Sequence, residues 1–186
     1  MTTLTFALPD QSFLLHTLQR CHYIDRCQKA FTDRDDSVEM ADVVQAFFSA
    51  NLCWVQPLVT FRNKVAGILG LKPFPSGLTE HQNWWYNHKA ERLISFPLHL
   101  FSHSENEIVL GADDKHLDFR ISFFVEKCPN QPGRKLLTIT TMVQFNNAWG
   151  RVYFMPVQPI HKLVVPALLR SAVRTIGKKL SRKQES

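Results

Sequence analysis

The chain lacks the short patterns from which an activity is usually read. It has no G-x-S-x-G elbow, no G-x-x-x-x-G-K-S/T loop, no G-x-G-x-x-G turn and no H-E-x-x-H helix. That removes nucleophile-elbow hydrolases, P-loop enzymes, dinucleotide binders and zinc proteases from consideration. The four cysteines, Cys21, Cys27, Cys53 and Cys128, form no C-x-x-C pair and keep no fixed spacing with histidine. This excludes a zinc framework or disulfide scaffold and makes reduced thiols in a cytoplasmic protein the default. His81 and His88, with only Glu80 and Glu91 nearby, are too few for a metal set, so neither metal nor cofactor is expected. The first residues lack a basic segment followed by an apolar one, so no secretory signal is expected. The most apolar stretch, near the C-terminus, is interrupted by Lys162, Arg170 and Arg174, which argues against a membrane span. There is no internal repeat and no low-complexity segment.

What is present is ordinary in bulk. A length of 186 residues fits one domain, taken here as 1–180. A domain of this size buries roughly 70% of its unfolded surface, enough for a core without disulfides or metal. Phenylalanine is plentiful at 14 residues, which favours an aromatic-rich core or an apolar cavity. The net charge of +6 owes much to Arg170, Arg174, Lys178, Lys179, Arg182 and Lys183. Positive charge there complements a helix C-terminus, with 181–186 as a disordered basic tail. These residues are not interleaved with aromatics and no nucleic-acid motif is present, so no nucleic-acid partner is expected. Peripheral contact with an anionic membrane through the basic C-terminus is the weaker alternative.

Hydrophobic spacing gives the architecture. From Trp149 to Lys179, apolar residues recur at Val152, Met155, Ile160, Leu163, Val164, Ala167, Leu168, Val173 and Ile176, the signature of a helix with a buried stripe. Pro156, Pro159 and Pro166 require that this helix either start near Pro159 or be kinked. Upstream, strands are expected at His22–Phe31, from Arg92 to Leu100, at Glu107–Gly111, from Leu117 to Glu126 and from Leu136 to Phe145. Hairpin-length connections imply antiparallel pairing. Val38–Ala50 and Trp54–Leu69 read as amphipathic helices, and a short helix is expected to start near Pro9–Ser12. The fold class is therefore α+β: an antiparallel sheet wrapped around a long C-terminal helix, with short helices in the N-terminal half.

The densest polar stretch is Gly111–Arg120, GADDKHLDFR. Asp118 and Arg120 share one face of a strand, which His116 extends, and the first two read as an ion pair on the sheet. Asp113 and Asp114 read as turn formers. Trp84-Trp85-Tyr86 is a second cluster; three adjacent rings cannot all face one core. They fit a loop folded onto the body, a lid over a ligand site, or a dimer contact.

The stretches EIVLGADDKHLDFRISFFV (Glu107–Val125) and TTMVQFNNAWGRVYFMPVQPIHKLVVPALLRSA (Thr140–Ala172) resemble the signature of a bacterial family known as domain of unknown function 2867. Ala46-Phe47-Phe48, Arg62-Asn63-Lys64 and Gly70-Leu71-Lys72 also resemble it. Thr79–Ala90 looks like an expansion on the family pattern. That family is similar to the START and polyketide-cyclase superfamily, whose helix-grip fold wraps a sheet around a C-terminal helix and leaves an apolar cavity between them. The resemblance implies ligands such as lipids, polyketides or hormones, with cyclisation chemistry in a minority. It transfers no catalytic residue.

The expected function is binding of a small, largely apolar molecule between the sheet and the 159–177 helix. His116, Asp118, Arg120 and His161 are the candidate orienting groups, with Trp84 and Trp85 near the mouth. One alternative is a cyclase- or dehydratase-type enzyme in the same cavity, using His116 with Asp118. The other is an interaction module with a filled core.

Overall fold

A computed structural model describes residues 20–50, 94, 95 and 98–184, together with Leu14, Thr60, Lys64 and Gly67. The elements in order are β1 (Tyr23–Thr32), α1 (Met40–Phe48), β2 (Ile94–Ser95), β3 (Leu98–His103), β4 (Glu107–Asp113), β5 (Leu117–Lys127), β6 (Arg134–Phe145) and α2 (Ala148–Gln184). The strands form one antiparallel sheet in the order β1-β6-β5-β4-β3-β2. β2 to β6 are sequential neighbours, as hairpin-length connections demand. β1 closes the far edge by pairing with β6, Tyr23 opposite Val143 and Thr32 opposite Arg134.

The alternation in β5 decides which side faces the helix. Ile121, Phe123 and Val125 point inward with Ile108, Leu110, Leu137 and Ile139. They pack against Val165, Leu169, Ala172 and Ile176, a buried stripe of α2 at helical spacing. α1 joins the same core through Val43, Val44 and Phe47, with the Phe47 ring edge-on to Phe123 at 5.1 Å. Each such fully buried side chain contributes about 1.5–3 kcal/mol relative to exposure. A second cluster at the start of α2 joins Tyr153 and Phe154 to Leu117 and Val143. The other face of the sheet is also covered, with Leu14, Val109 and Met142 buried together.

Three expectations change. The helix starts at Ala148 and runs through all three prolines, so Pro159 is interior and not in the first turn. It also continues to Gln184, so residues 181–184 are helical where a tail from 181 is expected. The strand expected from Arg92 to Leu100 is two: Ile94 pairs with His99 and Ser95 with Leu98, so the chain reverses between positions 95 and 98. By length and composition, moreover, the stretch Ala148–Arg182 is apolar enough to cross a membrane, its best window reaching a mean hydropathy of 1.2. The basic residues interrupt it less than the sequence reading holds, but its inner stripe is occupied by the sheet. Of the helix expected over Trp54–Leu69, Thr60, Lys64 and Gly67 are helical and exposed. These are i, i+4 and i+7, the polar side; its apolar side lies outside the described residues.

Candidate functional site

The GADDKHLDFR stretch is largely occupied in fixing where α2 begins. Asn147 caps the helix, its Oδ1 accepting from the Gly150 N–H at 3.1 Å. The same residue donates Nδ2 to the Lys115 carbonyl at 2.9 Å, and its Oδ1 lies 3.1 Å from His116 Nδ1. Asn146 donates to the Asp114 carbonyl at 2.8 Å and to Asp118 Oδ1 at 3.0 Å. Asp118 Oδ1 also accepts from the Asp114 N–H at 3.1 Å, closing the turn. Gly150 is required here: a Cβ would stand 2.1 Å from the His116 carbonyl oxygen. His116 and Asp118 therefore brace the helix start, both of them half-buried.

Arg120 points to the sheet face away from α2, beside Val109 and Met142. It is buried, and its ion-pair partner is Asp113 at 2.6 Å, not Asp118. The strand period explains the change. Asp113 sits opposite Asp118 on β4, and Gly111, opposite Arg120, leaves the side chain room to lie across β4 toward Asp113. Its guanidinium stacks 3.4 Å above the Phe101 ring. Neither Asp118 nor Arg120 lines the space between sheet and helix.

His161 does. It is half-buried on α2 and meets β1, where Nδ1 lies 3.2 Å from Asp25 Oδ2. A carboxylate can only accept, so Nδ1 carries the proton and Nε2 presents a lone pair. Burial outweighs the neighbouring Asp25 charge and holds the imidazole pKa below its ordinary 6.5, keeping the ring neutral. Tyr23 flanks the pair, its ring edge-on to His161 at 6.2 Å and to Phe154 at 4.8 Å. Burial, then the Asp25 charge and a hydrogen-bonding contact with its carboxylate, push the Tyr23 phenol up, so it keeps its proton. Thr141 stands directly opposite Asp25 on β6. The Tyr23 hydroxyl and Thr141 Oγ1 are both buried without a well-formed hydrogen bond. Cys27 follows on the same face of β1, and burial pushes its thiol up to about 12, so it is no nucleophile.

A third polar cluster lies at the other end of β1. Asp33 accepts from Lys135 Nζ at 2.7 Å and from the Ser37 and Val38 N–H groups at 3.0 and 3.1 Å. Asp36, at φ 52°, adds its carboxylate to Lys135 and to Lys127. Burial raises the Asp33 pKa, but the Lys135 bond and two backbone N–H groups overcome it and leave the carboxyl below its usual 3.8. This cluster is satisfied throughout and ties β1 and β6 to the approach to α1.

Grooves are open and lie elsewhere. One of about 460 Å³ runs between α1 and the end of α2, lined by Glu39, Asp42, Ser49 and Lys179 among others. No set of three metal-ligating side chains converges among the described residues. Trp84 and Trp85 lie outside them. Of the candidates among the described residues, only His161 enters the sheet–helix interface. Tyr23, Asp25 and Thr141 are the residues sequence reasoning misses. The signal for them is an acid on the inward-facing side of a strand, at the same parity as Tyr23 and Cys27.

No curated protein matches the chain. The pattern of one family, described as a protein of unknown function (DUF2867), matches residues 17–168, well over half the length and including β1, α1, the whole sheet and His161. The chain therefore belongs to the domain of unknown function 2867 family.

Proposed function

We propose that this protein binds a small, largely apolar molecule carrying one polar group, held between the sheet and α2. The observation that carries the reading is the buried Thr141 hydroxyl without a partner, opposite Asp25 and beside the Asp25–His161 pair, with the Tyr23 hydroxyl turned to Asp25 but making no well-formed bond. A buried hydroxyl left unpaired costs about 1–3 kcal/mol, so a fold retains one beside such a pair where something else completes it. Around them the interface is apolar and aromatic, with Phe154, Val143 and Leu117. A ligand ring or chain would lie against those side chains, with its carbonyl accepting a hydrogen bond from Thr141 or Tyr23, or its hydroxyl donating one to His161 Nε2. The architecture is the one used by the START and polyketide-cyclase superfamily, and we infer membership of it. Cys21, Cys27 and Cys128 are free thiols, which supports a reducing, cytoplasmic setting.

The test is native mass spectrometry of gently purified protein, followed by organic extraction. A stoichiometric apolar molecule, lost from Tyr23→Phe/Thr141→Val, is the expected result. A bare mass, with no thermal shift from a panel of lipids and aromatic metabolites, would remove the reading.

One observation favours a second reading, a cyclase- or dehydratase-type enzyme. A neutral imidazole with one nitrogen anchored by a carboxylate and the other open is arranged to accept a proton. The acid–base role then falls to His161 with Asp25, since His116 and Asp118 brace the helix start. Full turnover by His161→Gln would dismiss it.

A further inference from the structure

α2 has two apolar stripes, and among the described residues only one is covered. The inner stripe packs on the sheet. On the opposite side, Trp149, Val152, Met155 and Leu163 are 59, 52, 70 and 66% exposed. Their spacing, with exposed Pro159 between the last two, keeps them on one line along about four turns. Only 22% of the most apolar window of this helix is buried. Four large apolar side chains in a row is more than scattered surface hydrophobicity.

The charges beside this stripe are of one sign. Arg151 and Lys162 flank it, and Arg170 continues its line, all exposed. Nowhere in its 37 residues does the helix carry Asp or Glu. From these placements we infer that the outer face of α2 docks on an anionic lipid surface, with the helix lying in the plane of the interface. An apolar face with Trp, edged by Lys and Arg, sinks into the boundary between headgroups and acyl chains while its cations meet lipid phosphates. Spanning is not open to this helix, because the sheet occupies its inner face. A second copy docked face to face would set basic residues against basic residues, with no acid on the helix to answer them. The inference stands apart from the ligand reading, because it uses none of the residues around His161.

The experiment sediments the full chain with vesicles of phosphatidylcholine alone, or of phosphatidylcholine mixed with phosphatidylglycerol. The expected result is binding to the mixed vesicles, little to the neutral ones, and weakening as salt rises from about 0.1 M toward 1 M. Met155→Glu/Leu163→Glu should reduce binding at least tenfold, roughly the effect of lost apolar insertion plus like-sign repulsion. Both positions are exposed, so melting temperature should hold. Failure of the wild-type chain to sediment with the acidic vesicles overturns the inference. So does binding that the double variant leaves intact. A wild-type dimer that the variant splits on a sizing column gives the face to a second copy instead. A large fall in the variant's melting temperature gives it to another segment of the same chain.

Discussion

Two buried polar clusters sit at opposite ends of β1, and they are built differently. At one end Asp33 and Lys135 are almost sealed from solvent, and every oxygen of Asp33 has a donor. At the other end Asp25 meets His161, while the Thr141 hydroxyl beside them has no partner and the Tyr23 hydroxyl makes no well-formed bond. Both ends bury charge in a sheet that is otherwise largely apolar. A satisfied network fixes the fold; an incomplete one leaves positions for something else to fill. Completeness of hydrogen bonding, more than the presence of charge, separates structure from candidate site here.

The comparison breaks first at Asp33. Asp33→Ala leaves buried Lys135 with only the half-exposed Asp36 carboxylate, takes the acceptor from the Ser37 and Val38 N–H groups, and should cost about 3–5 kcal/mol. A urea titration measures this, and a variant as stable as wild type would sink the structural reading. Adding Lys135→Met should restore much of the loss, since a packed apolar pair often matches a buried ion pair.

At the other end the sign reverses. Thr141→Val removes a hydroxyl that has no partner and should be neutral or stabilising by about 1 kcal/mol, and Tyr23→Phe, which removes no well-formed bond but a contact with Asp25, should be near neutral. Ligand retention should fall in the same variants. Clear destabilisation without loss of retained ligand would move these hydroxyls into the structural class.

The smallest effects are in pH. The folded His161 pKa lies below 6.5, so the unfolded chain takes up that proton more readily. Its contribution is complete above pH 6.5 and is lost as pH falls through the lower folded value. The Asp33 carboxyl is also depressed, but from 3.8, so its contribution is complete above that pH and is lost only below it. Melting temperatures should therefore decline in two windows. His161→Gln should flatten the upper one alone. An unchanged profile in that variant would mean that His161 is not held neutral by the fold.

Period-2 alternation makes β4, β5 and β6 legible, because one face of each carries an apolar series against the helix, broken in β6 at Thr141. The amphipathic spacing of Val43, Val44 and Phe47 does the same for α1. The start of α2 is less legible, because proline normally signals a first turn. Here Asn147 and the close approach of Gly150 to the His116 carbonyl set the start eleven residues before Pro159. The site is mostly hidden. His116 and Asp118 share a stretch with Arg120, but sequence cannot tell a helix brace from a ligand contact. Asp25 and His161 are 136 positions apart and meet only after β1 pairs with β6. The second apolar stripe on α2 is present in the sequence, but there Val152, Met155 and Leu163 read as part of one buried stripe, and only the placing of the sheet shows them exposed.

That same pairing has a consequence for synthesis. β1 joins the sheet only through β6, with Thr32 opposite Arg134 and Tyr23 opposite Val143. At a ribosomal rate of about 5–20 residues per second, roughly 5–20 s pass between the emergence of the two strands. During that interval β1 is an unclaimed edge with both sides open to foreign strands. Asp25, Arg26 and Lys29 interrupt its apolar run. In the nascent chain, charges at those positions act as gatekeepers against misassociation, and one of them, Asp25, later becomes the partner of His161.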